Sequence, residues 1–367
     1  MAAIITDSFR IKNAKDFIAK AATENLYLTF GRSNAWPNDI LPPTPTTALK
    51  EIRNDVWSDI IGAKKITSTD IAHVIPRYDW SASEAAFVAY DPTDAMMFTK
   101  KFYCVSNDNG TYRVYKCIVK GGGLSTVKPV HTTAAIPTAD AAGYRWKFMY
   151  QIPVADYIKF ATNSHVPIGQ TASNTAVGAG ATPLPPGGHG ADNIEELGAF
   201  FSSINVRLEY SEGGVIPVTN EFRKIAIVSG PLVFNGTAGI TDSGNPVAGT
   251  NATGTVYNCT TRLTLNAGAS STWAQDETIT ATGGATARVV NYDSVNRYLF
   301  VQMISGTIAA TNTLTGGTSA ATGVVAAAGV SNTGLQTYSG DTIYLENRQP
   351  IPRSSDQTES ITTVVEF

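Results

Sequence analysis

The sequence predicts a mainly β protein: a layered antiparallel β-sandwich body with a few short helices, carrying an inserted small β-repeat domain. Three observations predict it. Apolar and polar residues alternate with a period of two through much of the chain, as strands with one buried face do. Helical spacing is confined to the first 62 residues. A Gly-, Ala- and Thr-rich segment at 235–335 repeats itself.

Taken in order, "NAKDFIAKAAT" at 13–23 predicts a helix with an Asn cap and Ala14, Phe17, Ile18 and Ala21 on one face. "LYLTFGR" alternates as a strand. A second helix follows, capped by Thr46 or Thr47, with Leu49, Ile52, Val56, Trp57 and Ile60 at helical spacing and Gly62 at its end. "FYCVSNDNGTYRVYKCIV" is a hairpin around Asn109-Gly110, which sets Cys104 opposite Tyr115 and Cys117 opposite Phe102. That places the two sulfurs on a diagonal, too far for a disulfide, so all three cysteines are expected as thiols. "YRWKFMYQI" buries Tyr144, Trp146, Phe148, Tyr150 and Ile152, and "INVRLEY" and "FRKIAIV" continue the series. Residues 169–192, ending in "TPLPPGGHGAD", read as a long loop, and "KGGGLS" at 120–125 as a turn.

Within 235–335, "ETITATGGATARVV" at 277–290 matches "NTLTGGTSAATGVV" at 312–325 with an offset of 35, and "NATGTVYN" at 251–258 echoes the pattern a third time. Short paired strands at such a period predict a module whose copies bury faces that one copy cannot bury alone. The expected division is a discontinuous body, 1–234 with 336–367, and an inserted domain, 235–335.

Composition narrows the function. Charged residues are 16% of the chain and the net charge is −3, without a Lys/Arg cluster. Phosphate binding needs a basic footprint, so nucleic acid is not an expected partner. A membrane span is not expected either, because no apolar run approaches the length one needs. The start of the sequence has no signal-peptide pattern, and a chain made in the cytosol is expected. A neutral surface suits burial against other proteins. His73, His131, His165 and His189 are dispersed without metal-ligand spacing, and nucleophile elbows and phosphate loops are absent. Carboxylates such as Asp79, Asp91, Glu346, Asp356 and Glu359 each stand beside an arginine or a turn residue, where pairing or capping accounts for them. No catalytic, cofactor-binding or metal-ligating residue is expected, and no enzyme.

The closing stretch, "GDTIYLENRQPIPRSSDQTESITTVVEF" at 340–367, joins two expected strands through prolines, arginines and acids. Its "IYLENRQPI" and "DQTESI" resemble the C-terminus of the dimeric baseplate wedge subunits of contractile-tailed bacteriophages. "LTFGRSNAW" at 28–36, "VIPRYDW" at 74–80, "VYKC" at 114–117, "GYRWKFMYQIP" at 143–153 and "FRKIAIVSGPL" at 222–232 resemble that family's landmarks in the same order. The segment at 235–335 departs from the family, which has a much shorter connection there. The resemblance implies a structural, β-sandwich subunit of the virion tail baseplate, assembled in the host cytoplasm as a homodimer with other wedge proteins around the tail hub, without cofactors.

From the residues themselves, Arg32, Arg77 and Arg348 stand beside turns or prolines, where a five-donor guanidinium can tie loops together. Trp36 and Trp80 can supply large buried or interfacial area. With Glu346 and Asn347 these are the candidate structural or subunit-contact residues. If Arg348 is buried, Arg348→Ala is expected to cost roughly 2 to 4 kcal/mol. The alternative reading is a virion carbohydrate-binding adhesin that meets a surface glycan through the inserted domain, on aromatics such as Tyr257, Trp273, Tyr292, Tyr298, Phe300 and Tyr338.

Overall fold

A computed structural model describes residues 4–83, 87–133, 139–168, 203–211, 221–234, 246–248, 256–331, 333–353 and 358–367. The loop expected at 169–192, His189 and Asp356 lie outside them. The fold is mainly β, in several antiparallel sheets with few helices. The chain divides into two compact units, one of Met1–Thr23, Ser68–Arg207 and Thr362–Phe367, the other of Glu24–Thr67 and Leu208–Ile361.

In the first unit, α1 (Asp7–Thr23) begins earlier than expected. Thr6 rather than Asn13 caps it, its Oγ1 accepting the Phe9 N–H at 3.3 Å. A four-stranded sheet runs in the order β20-β8-β3-β7, built from β3 (Ile71–Pro76), β7 (His165–Pro167), β8 (Ser203–Ser211) and β20 (Thr358–Glu366). A three-stranded sheet runs β4-β5-β6: β4 (Tyr103–Asp108), β5 (Thr111–Val119) and β6 (Arg145–Ile152). Ile75 and Val166 from one sheet pack with Tyr103, Val105, Val114, Tyr150 and Ile152 from the other, so two layers share one core. The expected hairpin register holds: Cys104 lies opposite Tyr115, and Cys117 N–H donates to Phe102 C=O. Both cysteines are buried thiols. The period-two face of β6 is buried as its alternation requires, and Met149 is buried as well. After Pro153, which fixes a helix start, comes α3 (Val154–Phe160), an element the strand-dominated reading passed over.

In the second unit, a five-stranded sheet runs β12-β2-β1-β9-β19, from β1 (Leu26–Gly31), β2 (Ile60–Lys65), β9 (Glu221–Ser229), β12 (Val256–Asn258) and β19 (Asp341–Pro352). Helix α2 (Leu49–Trp57) packs Val56 and Trp57 against it, with Tyr27, Ala226, Val228 and Tyr257. The helix stops at Trp57, and Ile60 and Gly62, expected at its end, belong to β2. Pairing decides this: Gly62 sits opposite Phe30 of β1, and a central strand position outweighs one more turn of helical spacing. The strands β10 (Leu232–Phe234) and β11 (Pro246–Ala248) pair separately.

The repeats form a closed six-stranded barrel, β13-β16-β15-β14-β17-β18, from β13 (Thr261–Leu265), β14 (Thr278–Ala281), β15 (Thr286–Asp293), β16 (Tyr298–Ser305), β17 (Thr313–Gly316) and β18 (Thr322–Ser331). Its two halves, β13–β15 and β16–β18, interleave about a pseudo-two-fold centred where Thr280 pairs with Thr315. The offset is 35 there and becomes 36 after the turn, since Asp276 N–H donates to Val289 C=O while Thr311 N–H donates to Val325 C=O. The second copy's turn carries the extra residue. The barrel interior is Leu263, Leu265, Ile279, Ala287, Val289, Leu299, Val301, Leu314 and Val325, the sort of filling a six-stranded barrel needs. The third echo lies partly outside the described residues, and its end, β12, pairs with β2 in the five-stranded sheet rather than joining the barrel.

Candidate functional site

The second unit gathers charge where β1 ends. A side chain on Gly31 would place its Cβ 1.9 Å from the Asp59 carbonyl oxygen, so the strand needs glycine here. That close approach lets the Arg32 N–H donate to Asp59 C=O at 2.8 Å, and Arg32 turns off the strand with φ 59°. The Asp59 carboxylate then meets three cations. Oδ1 accepts from Arg288 Nη2 at 2.6 Å, and Oδ2 accepts from Lys224 Nζ at 2.8 Å and from Arg32 Nη1 at 3.3 Å. The side chains of Asp59 and Lys224 are only 4% and 3% exposed, so these are buried pairs. Burial pushes the Asp59 carboxyl up, but the Lys224 and Arg288 charges outweigh it and hold the group below the usual carboxylate value.

Barrel and sheet of this unit meet at the cluster. Arg288 of β15 donates to Asn34 Oδ1 at 2.7 Å and to Ser58 C=O at 3.2 Å. Gln302 of β16 accepts from Arg288 at 2.6 Å and donates to Ile60 C=O at 2.9 Å. Ser33 Oγ donates to Asp276, whose carboxyl burial pushes up.

The neighbouring layer contains the expected landmarks. Arg32 stacks on the Trp36 ring with its guanidinium carbon 3.7 Å from the centroid. Trp36 Nε1 donates to the backbone carbonyl of Arg348 at 2.9 Å. Arg348 itself pairs with Glu346, Nη2 to Oε2 at 2.9 Å, and Asn347 Nδ2 donates to Pro43 C=O at 2.8 Å. Asp39 receives Arg223 through two bonds of 2.9 Å, and this guanidinium lowers its pKa.

Five of the seven candidates, Arg32, Trp36, Glu346, Asn347 and Arg348, thus come together. Arg77 and Trp80 lie in the first unit. Arg77 binds Asp79 at 2.9 Å and Thr162 C=O at 3.2 Å, and Trp80 Nε1 donates to Ser125 Oγ at 2.9 Å. Arg348 is half-buried rather than buried: its side chain is 26% exposed and that of Glu346 30%. The cost expected for a buried arginine therefore does not apply.

Sequence reasoning missed Asp39, Asp59, Arg223, Lys224 and Arg288. Two signals were present. A basic pair inside the otherwise apolar strand "FRKIAIVSG" demands buried partners. Arg288 breaks a repeat whose second copy, "ATGVV", is uncharged.

The arrangement braces; the Asp59 and Asp39 carboxylates are held ionised by fixed cations, whereas burial pushes that of Asp276 the other way. Among the described residues no group of three or more His, Cys, Asp or Glu could hold a metal ion, and no helix is long and apolar enough to cross a membrane. Burial holds His73 down to about 4, so it packs as a neutral ring.

Residues 3–124 match the family model described as Bacteriophage T4, Gp8. Across 204 residues, 45% of this chain, the sequence is 24% identical to the baseplate wedge protein gp8 of Enterobacteria phage T4. Over these residues the chain is similar to the baseplate wedge family. It spans 60% of the length of that relative. The family-matched residues include Gly31, Arg32, Trp36, Asp39 and Asp59, so one wall of the charge cluster lies in the matched part, while the barrel that supplies Arg288 lies beyond the 3–124 match.

Proposed function

We propose that this wedge-family chain is a structural subunit of the virion tail baseplate, assembled in the host cytoplasm as a homodimer that joins other wedge proteins around the tail hub of a contractile tail, and that it carries out no catalysis. The match of its first third to the gp8 family carries this reading. The charge cluster agrees with it: Asp59, Lys224 and Arg288 are engaged with one another and with backbone carbonyls, which suits a part that must keep its shape under load. A low-charge surface favours burial between subunits, and a two-fold dimer needs only one such patch used twice.

Light scattering on the purified chain tests the dimer, and mixing it with the other wedge proteins of its phage tests incorporation. A dimer that enters wedges is expected. A monomer at micromolar concentrations, or failure to enter wedges, refutes the corresponding half of the reading. Hydrolysis of host polysaccharide that is lost in Glu346→Gln refutes the absence of catalysis.

A further inference from the structure

The second unit leaves an apolar surface open where α2 begins. Leu49, Ile52 and Val56 of α2 share one stripe at helical spacing. Val56 is fully buried against the sheet, Ile52 packs at the rim of that core, and Leu49, one turn earlier, is 84% exposed. The stripe therefore runs off the sheet into solvent. Leu345 of β19 packs at the same rim as Ile52. Two and four residues further along β19, Asn347 Nδ2 donates to Pro43 C=O and Gln349 Nε2 to Ile40 C=O, both at 2.8 Å. A strand advances about 3.3 Å per residue, so the residues that anchor this strap lie within about 13 Å of Leu345.

The strap is braced as well as anchored. Ile40 N–H donates to Asn38 Oδ1 at 3.0 Å, and Leu41 N–H to Asn38 C=O at 3.2 Å. On that turn Ile40 is 80% exposed and Leu41 75%. Single exposed aliphatics are ordinary, but three large ones between residues 40 and 49, held on fixed backbone, make a preformed contact surface that costs little ordering to bind.

Charge at this surface says what covers it. Asp39 is committed to Arg223 and Asp55 to Lys224. Glu51 accepts from the Thr46 hydroxyl at 3.0 Å. Lys50 and Arg53, exposed and one turn apart on α2, meet no carboxylate among the described residues. Two cations thus stand beside Leu49 against one carboxylate, and a second copy set across a two-fold would oppose that excess to itself.

We propose that Ile40, Leu41 and Leu49 form a docking surface for a different protein, one that presents aliphatic side chains rimmed by carboxylates which Lys50 and Arg53 receive. The proposal rests on the wedge reading, since the other wedge proteins are where such a partner is sought. The aliphatic side chains supply area to remove from water, and the opposite charges steer the encounter and fix its register.

The test uses the full chain and the other wedge proteins of its phage, each purified and titrated singly. Binding is followed by biolayer interferometry at low and high salt, and self-association by light scattering. Two double variants are compared with the parent, Ile40→Asp with Leu41→Asp and Lys50→Glu with Arg53→Glu. All four side chains are exposed, so both variants should melt as the parent does. One wedge protein is expected to bind the parent, about a hundredfold more weakly once the aspartates put charge into a dry contact and about tenfold more weakly after the charge reversal. High salt should shrink the second loss, because it screens charges at a rim. The proposal fails, with the wedge reading intact, if that protein binds both variants as it binds the parent. Charge reversal that leaves binding unchanged or tightens it refutes the acidic partner. If the aspartates split a dimer and leave wedge binding untouched, a second copy covers the surface and the proposal is wrong. If no wedge protein binds the parent, the wedge reading falls and the proposal falls with it.

Discussion

At Asp59 one carboxylate pairs with Arg32, Lys224 and Arg288, with Lys224 also bonded to Asp55. Asp59→Asn keeps the shape and leaves the cations facing a neutral amide, so it should destabilise the protein by about 3 kcal/mol near neutral pH. The pH dependence has a definite sign. The folded-state pKa of Asp59 lies below 3.8, so its stabilising contribution is present above pH 3.8 and is lost as pH falls through the lower folded value. Denaturant titrations of parent and variant should therefore differ at pH 7 and converge below pH 3.8; a constant gap would assign the loss to packing instead. Arg348 provides the contrast. Its guanidinium reaches a half-exposed Glu346, and it is the Arg348 main-chain carbonyl that receives Trp36. Arg348→Ala should cost about 1 kcal/mol or less in thermal melts, because the backbone acceptor survives and exposed pairs contribute little. The motif around Arg348 was legible in the sequence; which of its atoms bears the contact was not, since a main-chain acceptor leaves no trace in residue type.

Among the elements, β1 carries the tightest constraint. Its Gly31 faces Asp59 C=O and the Ile60 Cα at distances that no Cβ tolerates. Gly31→Ala should force the turn between α2 and β2 outward and cost about 3 kcal/mol or more, the penalty of overpacking against rigid backbone. It should also break the Arg32 N–H to Asp59 C=O bond, which amide exchange at Arg32 would report. Exchange unchanged from the parent would show that the strand end yields without strain. Period-two alternation exposed β6, whose Trp146, Phe148, Tyr150 and Ile152 share one buried face, whereas β9 is buried on both faces and shows itself only as a short apolar run. The end of α2 was not legible: Ile60 continues a helical stripe, and only pairing with β1 takes it into a strand.

At the scale of the whole molecule, we propose that the barrel is a separable module, and its ends support this. Arg262 pairs with Ser331 at the first and last strands, so entry and exit lie side by side, and closing such a gap needs little chain. The sequence placed the module at 235–335; residues 256–258 pair with β2 and Leu335 packs in the α2 core, so the separable part is better drawn at 261–331. Replacing 261–331 with a short Gly/Ser linker should leave one cooperative melting transition at a lower temperature, because Arg288 and Gln302 no longer bridge to Asp59 and Ile60. Insoluble or molten protein would show that the sheet depends on the barrel for its core. The repeat itself was readable from spacing. Its closure into a ring was not, because the identity of the strands next to β13 depends on residues far along the chain.

That interleaving also sets an order in time. A ribosome delivers the chain from its N-terminus, and domains generally fold as they emerge. Here both neighbours of β13 come from the later half of the repeat, and β1 waits for β9, which in turn waits for β19. The second unit cannot complete its five-stranded sheet until synthesis has passed Pro352, more than 300 residues after β1. Until then, apolar strand faces of a low-charge polypeptide stand open, the kind of interval in which long-range β pairing is slow and association with other chains competes with folding.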